Sequence, residues 1–134
     1  MSALGMWSTQ TILRTVLVVD DEAEVRNLLS ELLTRCDYEV VTAANGVEAV
    51  AALSETPPDL VLLDLTLPGV SGLEVMKRIQ STMPSTPVII LSGTPDSAAA
   101  LTAVRMGAYA YLPKPFEFEH LQRLVASALA ESPA

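Results

Sequence analysis

The chain has 134 residues, half of them hydrophobic, and a formal net charge of -8 from 16 acidic and 8 basic residues. This length fits one domain with its own core and is short for two. Binding to nucleic-acid phosphates needs clustered Lys and Arg, so the acidic balance argues against a direct nucleic-acid surface. No apolar run approaches the roughly 18 residues that indicate a membrane span. The single Cys36 falls on the apolar stripe of a predicted helix, so we expect it to be a small core residue. A single cysteine also fits a reduced, cytoplasmic compartment.

Short apolar runs predict five strands. Three are clear, and each is followed by a polar residue: 15–19 before Asp20, 60–63 before Asp64, and 87–91 before Ser92. Two weaker runs cover 38–42 and 108–112. The clear runs are continuous rather than alternating, which is typical of parallel strands covered on both faces.

Helical patterns lie between these runs. In the first, apolar residues recur at the spacing of one helix face: Val25, Leu28, Leu29, Leu32, Leu33 and Cys36. The last predicted helix repeats the spacing with Leu121, Leu124, Val125, Ala128 and Leu129. Two shorter helices are predicted, one over 46–54 with Val47, Val50 and Ala51, and one over 72–83 with Leu73, Met76 and Ile79.

Strands that alternate with helices through short connections predict an α/β fold. We expect a single doubly wound, five-stranded parallel sheet with five helices on its two faces and right-handed crossovers. In such sheets the functional site lies beyond the carboxyl ends of the strands. The polar residues at those ends are Asp20, Asp21, Asp64, Ser92 and Lys114.

Three carboxylates at one sheet edge repel one another unless their pKa values rise or a cation joins them. Mg²⁺ prefers oxygen ligands and is usually held by one or two carboxylates together with phosphate oxygen. Lys114 adds positive charge and Ser92 a hydroxyl, and these groups can neutralise a phosphoryl group during transfer. Asp64 is the best candidate nucleophile for an aspartyl phosphate, because it stands alone after the most buried-looking strand.

Taken together, these residues resemble the response-regulator receiver domains of two-component signalling, with a chemotaxis-regulator-like, flavodoxin-like fold. The resemblance covers about 15–131 and rests on four separated motifs in the right order: Asp20-Asp21, the stretch from Leu62 to Gly69, Leu91-Ser92-Gly93, and Lys114-Pro115-Phe116. It implies the strand order 2-1-3-4-5. It also implies a receiver domain over 15–131, with tails at 1–14 and 132–134 to which we assign no role.

The resemblance further implies the roles of individual residues. Asp64 is the phosphoacceptor, Asp21 and Asp64 bind Mg²⁺ directly, Asp20 acts through water, and the Thr66 carbonyl completes the protein ligands. Ser92 and Lys114 contact the phosphoryl group, Lys114-Pro115 is a cis peptide, and Tyr111 is the aromatic switch that moves behind Ser92. The phosphoryl donor is a histidine kinase or a histidine phosphotransfer protein. The domain is then a cytoplasmic signalling switch that promotes only its own phosphorylation and dephosphorylation.

Several alternatives stay open at the level of sequence. Asp20-Asp21 also suits the N-cap of the following helix. A Mg²⁺-dependent phosphatase of the haloacid-dehalogenase kind also uses a strand-end aspartate, but it has a second aspartate where this chain has Thr66. A flavodoxin-like cofactor carrier or a receiver-like module that only binds partners are further possibilities. The sequence leaves open whether an output domain belongs to the protein.

The Ala-rich segment from Asp96 to Leu112 has few charges and predicts a helix whose outer face packs against another surface, with Ala103 near its middle. The resemblance implies that the 96–131 face changes on phosphorylation and contacts a downstream effector or a second copy. The alternative is that small residues only bring this helix close to the sheet.

Overall fold

The computed structural model describes residues 12–93 and 98–131. Its strands are β1 Thr15–Val19, β2 Glu39–Ala43, β3 Leu60–Asp64, β4 Val88–Ser92 and β5 Ala110–Pro113. Its helices are α1 Ala23–Arg35, α2 Gly46–Glu55, α3 Gly72–Thr82, α4 Ala98–Arg105 and α5 Phe118–Glu131. Residues 1–11 of the predicted tail at 1–14, the tail at 132–134 and the predicted helix start at Asp96 lie outside the described residues.

All neighbouring strands pair in parallel, in the order β2-β1-β3-β4-β5. This confirms the predicted α/β fold class and strand order. β1 has the predicted bounds, and the other four strands differ from the predicted runs by one or two residues at their ends, which is the usual uncertainty of such boundaries. None of the helices in the described part of the chain is long and apolar enough to cross a membrane.

The continuous apolar strands have a core on each face of the sheet. Leu17, Val61 and Ile90 pack on one face against α2, α3 and α4. Val18, Leu62 and Ile89 pack on the other face against α1 and α5. Because successive side chains of a strand point to opposite faces, a strand covered on both sides has to be apolar throughout.

The strand register brings the polar strand ends together. Val19 pairs with Leu63, so Asp20 and Asp64 are the next residues on two adjacent strands. Asp64 in turn pairs with Leu91, and Ser92 pairs with Pro113, which directly precedes Lys114. The carboxyl edge of the sheet therefore collects the residues that the sequence singled out.

Some predicted core positions are wrong. Leu28 is 55% exposed and Val47 is 65% exposed, although both lie on predicted apolar stripes. Ala51 is exposed, and α2 buries Ala49 and Leu53 instead. Cys36 is half-buried at the C-cap of α1 rather than in the core. Short helices on a sheet bury a narrow stripe, and spacing alone leaves its rotation uncertain by about one residue.

The Ala-rich helix α4 divides into a buried and an exposed side. Ala100 and Ala103 are buried against the sheet, so small residues do bring this helix close to it. Leu101 and Val104 are 57% and 47% exposed. The apolar surface that the composition suggested is therefore formed by these two side chains and not by Ala103.

Gly72 lets α3 begin close to the end of β3. A Cβ atom at Gly72 would lie 2.4 Å from the Leu65 Cα and 2.8 Å from the Asp64 carbonyl oxygen. Both are backbone atoms, so the helix or the strand end would have to shift.

We therefore expect Gly72→Ala to lower the free energy of unfolding by about 1–3 kcal/mol, as other overpacked sites do. Gly93→Ala is the matched control, because its Cβ would meet nothing within 4 Å. Urea unfolding measures both. Equal midpoints for the two variants would show that the close approach at Gly72 costs nothing.

Candidate functional site

Lys114 joins two carboxylates at the carboxyl edge of the sheet. Its Nζ lies 2.7 Å from the Oδ2 atom of Asp20 and 3.0 Å from the Oδ2 atom of Asp64. The Asp20 side chain is fully buried, and that of Asp64 is 6% exposed. Buried charges need partners, and one ammonium here serves two carboxylates from neighbouring strands.

The end of β4 fixes the backbone of Lys114. The Lys114 N–H donates to the Ser92 carbonyl oxygen at 2.7 Å. The Lys114-Pro115 peptide is cis, as the family resemblance implied. The hydrogen bond to Ser92 fixes the backbone of Lys114 next to the end of β4, and its side chain reaches Asp64 at the end of β3 and Asp20 after β1.

Asp20 is held by the first turn of the chain after β1. Its Oδ1 atom accepts a hydrogen bond from the Glu22 N–H at 2.9 Å. Its carbonyl oxygen accepts one from the Arg26 guanidinium at 2.7 Å. The carboxylate therefore has a backbone donor on one oxygen and the Lys114 ammonium on the other.

Asp64 has a similar arrangement. Its Oδ1 atom accepts from the Thr66 N–H at 2.9 Å, while Oδ2 accepts from Lys114. Burial raises the pKa of Asp64, and the hydrogen bonds from Thr66 and Lys114 only partly oppose this rise. Nearby Asp20 raises it further. A cation next to this carboxylate would favour its ionised, nucleophilic form.

The pKa of Lys114 is governed by opposing effects. Burial lowers it, but the hydrogen bonds to Asp20 and Asp64 outweigh burial and raise the pKa above its ordinary value. Lys114 therefore stays charged at neutral pH and is a permanent positive charge in the site.

Asp20, Asp21 and Asp64 together form an oxygen-rich cluster. One carboxylate oxygen from each lies within 4.8 Å of the others. Asp21 is exposed, while the other two are buried. Hard divalent cations such as Mg²⁺ prefer this all-oxygen donor set and keep some water ligands, which an exposed member permits. The residues present therefore fit the implied cation.

The cluster opens to solvent through a cavity of about 310 Å³, lined by Asp21, Glu22, Asp64, Thr66, Gly93 and Lys114. Asp64 is thus almost buried but reachable from outside. A larger groove lies between α2 and α3, away from these carboxylates. The smaller cavity combines a buried nucleophile candidate, Asp64, with the positive charge of Lys114.

The structure brings most of the predicted site residues together. Asp20, Asp21, Asp64 and Lys114 form one cluster, and Thr66 borders the same cavity. Ser92 ends the adjacent strand β4 and is buried. Tyr111 lies one strand further, on β5, where its hydroxyl is buried and has no hydrogen-bond partner among the described residues.

Sequence reasoning missed Glu22 and Arg26. Glu22 occupies the N-cap position of α1, so neither Asp20 nor Asp21 is the cap that the alternative interpretation required. The Glu22 side chain makes no capping hydrogen bond, and its Oε1 atom lies 3.4 Å from the Lys114 Nζ. The only signal in the sequence was its place next to the acidic pair.

A parallel five-stranded sheet of order β2-β1-β3-β4-β5 with these acids and this lysine at its carboxyl edge is the arrangement expected of a receiver domain. The chain matches the family model for the response regulator receiver domain over residues 16–126, and it belongs to that family. It is therefore a receiver domain of two-component signalling and acts as a signalling switch.

The chain is similar to several known members. It is 39% identical over 115 residues to the DNA-binding transcriptional regulator NtrC of Salmonella typhimurium, covering 86% of this chain and 24% of that protein. The crystal structure of the receiver domain of NtrX from Brucella abortus has a TM-score of 0.81 at 36% identity, covering 87% of this chain and 99% of that one. A CheY-like receiver domain protein from Methanospirillum hungatei has a TM-score of 0.86 at 27% identity, covering 90% and 96%. The chain spans about a quarter of the NtrC proteins that it matches.

Repulsion within the acidic cluster predicts that the domain has a lower free energy of unfolding in the absence of metal. Asp21→Asn removes one of three mutually repelling carboxylates, so we expect it to raise the free energy of unfolding in chelator by about 0.5–1 kcal/mol. Added Mg²⁺ should stabilise the wild type and have a smaller effect on the variant.

Asp37→Asn is the matched control, because it removes the same charge at an exposed loop position whose φ of 68° Asn also tolerates. Chemical unfolding with and without Mg²⁺ compares the three proteins. An equal Mg²⁺ response in all three would contradict a cation site that includes Asp21.

Proposed function

We propose that Asp64 accepts a phosphoryl group from the phosphohistidine of a histidine kinase or a histidine phosphotransfer protein, in a reaction that depends on Mg²⁺. The observation that carries the proposal is the Asp64 carboxylate, which is buried, paired with Lys114 and open to solvent through one polar cavity. Membership of the receiver family supports the same reaction.

In this reaction a carboxylate oxygen of Asp64 forms a bond to phosphorus while the phosphorus–nitrogen bond of the donor breaks. The donor imidazole leaves with that electron pair and takes up a proton. Lys114 supplies fixed positive charge beside the transferring oxygens, and the hydroxyl of Ser92 supplies a hydrogen bond. Such positioning and charge stabilisation is most of what phosphoryl transfer requires from a protein.

Asp21 and Asp64 would hold the Mg²⁺ ion directly, Asp20 through water, and Thr66 through its carbonyl oxygen. When bound, the ion neutralises charge on the carboxylates and on the phosphoryl oxygens. The donor set and the exposed position of Asp21 support this assignment.

The alternative functions have less support. A phosphatase of the haloacid-dehalogenase kind would need a second aspartate at position 66, where this chain has an exposed Thr. A module that only binds partners would have no need for the complete set of Asp20, Asp21, Asp64 and Lys114 around one cavity.

An apolar cavity of about 360 Å³ beside the site supports docking of the donor protein. It is lined by Val25, Leu28, Leu29, Lys114, Pro115 and Phe116. Leu28 is exposed in the isolated domain although it is large and apolar. Lys114 lines both this cavity and the cavity that opens to Asp64, so a donor protein that covers the apolar cavity would lie beside the acceptor site.

The output face, as we propose it, uses β5, α4 and α5. The Tyr111 hydroxyl is buried and lacks a partner among the described residues, which leaves it able to gain one when the ring moves. Leu101 and Val104 supply exposed apolar surface on α4. A downstream effector or a second copy that covers them preferentially in the phosphorylated state would shift the population towards that state.

Acceptor chemistry gives a direct test. With Mg²⁺ and acetyl phosphate the protein should gain one acid-stable, base-labile and hydroxylamine-labile phosphoryl group, and Asp64→Asn should reduce labelling below detection because an amide is a poor nucleophile. Asp59→Asn is the control at the opposite end of β3, where the Asp59 carboxylate accepts a hydrogen bond from the Thr15 N–H and an amide oxygen can replace it. Unchanged labelling of the Asp64 variant would sink the assignment.

The output face is tested with an exposed residue, because Ala103 is fully buried and a charge there would disrupt the core. Leu101→Glu should keep Asp64 labelling at the wild-type level and weaken phosphorylation-dependent association at least tenfold, since about 1.4 kcal/mol of lost apolar contact gives that factor. Val47→Glu is the control on an exposed apolar residue of α2. Sedimentation with and without a phosphoryl mimic measures self-association, and the same experiment with a candidate effector measures partner binding. Equal behaviour of both variants in the two experiments would contradict an output face that includes Leu101.

A further inference from the structure

Glu22 is an acidic N-cap residue whose side chain makes no helix-capping hydrogen bond. It stands at the N-cap of α1, where a short polar side chain normally accepts a hydrogen bond from the helix, but its side chain makes no such bond. Its backbone N–H is fixed by Asp20 at 2.9 Å. The side chain instead reaches Lys114, with 3.4 Å between Oε1 and Nζ.

Glu22 also borders the path by which a phosphoryl donor reaches Asp64. It lines the cavity together with Asp21, Asp64, Thr66, Gly93 and Lys114. Its side chain is 63% exposed, so its charge is presented to an incoming molecule. It is the third carboxylate within ion-pair distance of the Lys114 ammonium, after Asp20 and Asp64.

We infer that Glu22 is a specificity-determining residue, which slows reaction with small, doubly charged phosphoryl donors through its negative charge at the mouth of the site. The inference rests on the proposed function, because it concerns donors for Asp64. A small donor carries all of its charge into the cavity and has little other surface to bind. A donor protein offsets the repulsion with contacts made outside the cavity.

The charge of the donor is therefore the test variable. Near neutral pH acetyl phosphate is a dianion, while phosphoramidate carries about one negative charge less. The Coulomb energy between the Glu22 charge and one unit of donor charge, about 6 Å apart in water-like surroundings, corresponds to about a threefold change in rate. Glu22→Gln should thus raise the ratio of the acetyl phosphate rate to the phosphoramidate rate about threefold at low salt, and high salt should remove the gain.

Two matched variants separate the charge of Glu22 from other effects. Glu24→Gln removes the same charge from the first turn of the same helix, and the structure gives Glu24 no contact with Lys114. It should keep the wild-type ratio. Glu22→Asp keeps the charge beside the cavity and should also stay at the wild-type ratio.

The experiment measures Asp64 labelling rates for the full chain with each donor at low and high salt, after unfolding curves confirm that every variant is folded. An unchanged ratio in Glu22→Gln, or an equal rise in Glu24→Gln or Glu22→Asp, overturns the inference while Asp64 remains the acceptor. Labelling that persists in Asp64→Asn instead overturns the proposed function. The two failures are therefore distinguishable.

Discussion

The ion pairs of Lys114 with Asp20 and Asp64 are the interaction on which the rest of the site depends. They connect the ends of β1 and β3 with the segment after β5, which lie far apart in the sequence. Removing one partner of a buried ion pair leaves an uncompensated charge, which is strongly destabilising. The strand register, the hydrogen bond from Lys114 to the Ser92 carbonyl and the close approach at Gly72 together keep these three groups in reach of one another.

The same site has more negative charge than its own residues neutralise. Lys114 compensates for part of the charge, but Asp21 and Glu22 leave an excess at the opening. Excess negative charge reduces the stability of the domain and favours the binding of a cation. A bound cation would in turn attract the negatively charged phosphoryl group. The repulsion that lowers stability at the acidic cluster therefore also favours the cation binding that the proposed reaction requires.

Much of this arrangement was predictable from the sequence, because continuous apolar strands must be buried and their polar ends must meet at one edge of a parallel sheet. Asp20, Asp64 and Lys114 could be located in this way. The exposure of Leu28 and Val47 was not predictable, because it depends on how each helix is rotated on the sheet. Glu22 was missed for a related reason: its contact with Lys114 depends on a side-chain direction that no spacing rule describes.

The short segment 111–116 connects the proposed phosphorylation site to the cores on both faces of the sheet. Tyr111 packs with the core under α2, α3 and α4, whereas Phe116 packs with the core under α1 and α5. Lys114 lies between them in the sequence and holds Asp64. A phosphoryl group on Asp64, as we propose, would change the charge that Lys114 faces. The backbone on either side of Lys114 leads to the apolar cavity beside the site and to the Tyr111 hydroxyl, which has no hydrogen-bond partner among the described residues. A ligand shifts a population only through contacts that differ between two states, and this segment is where such differences would arise.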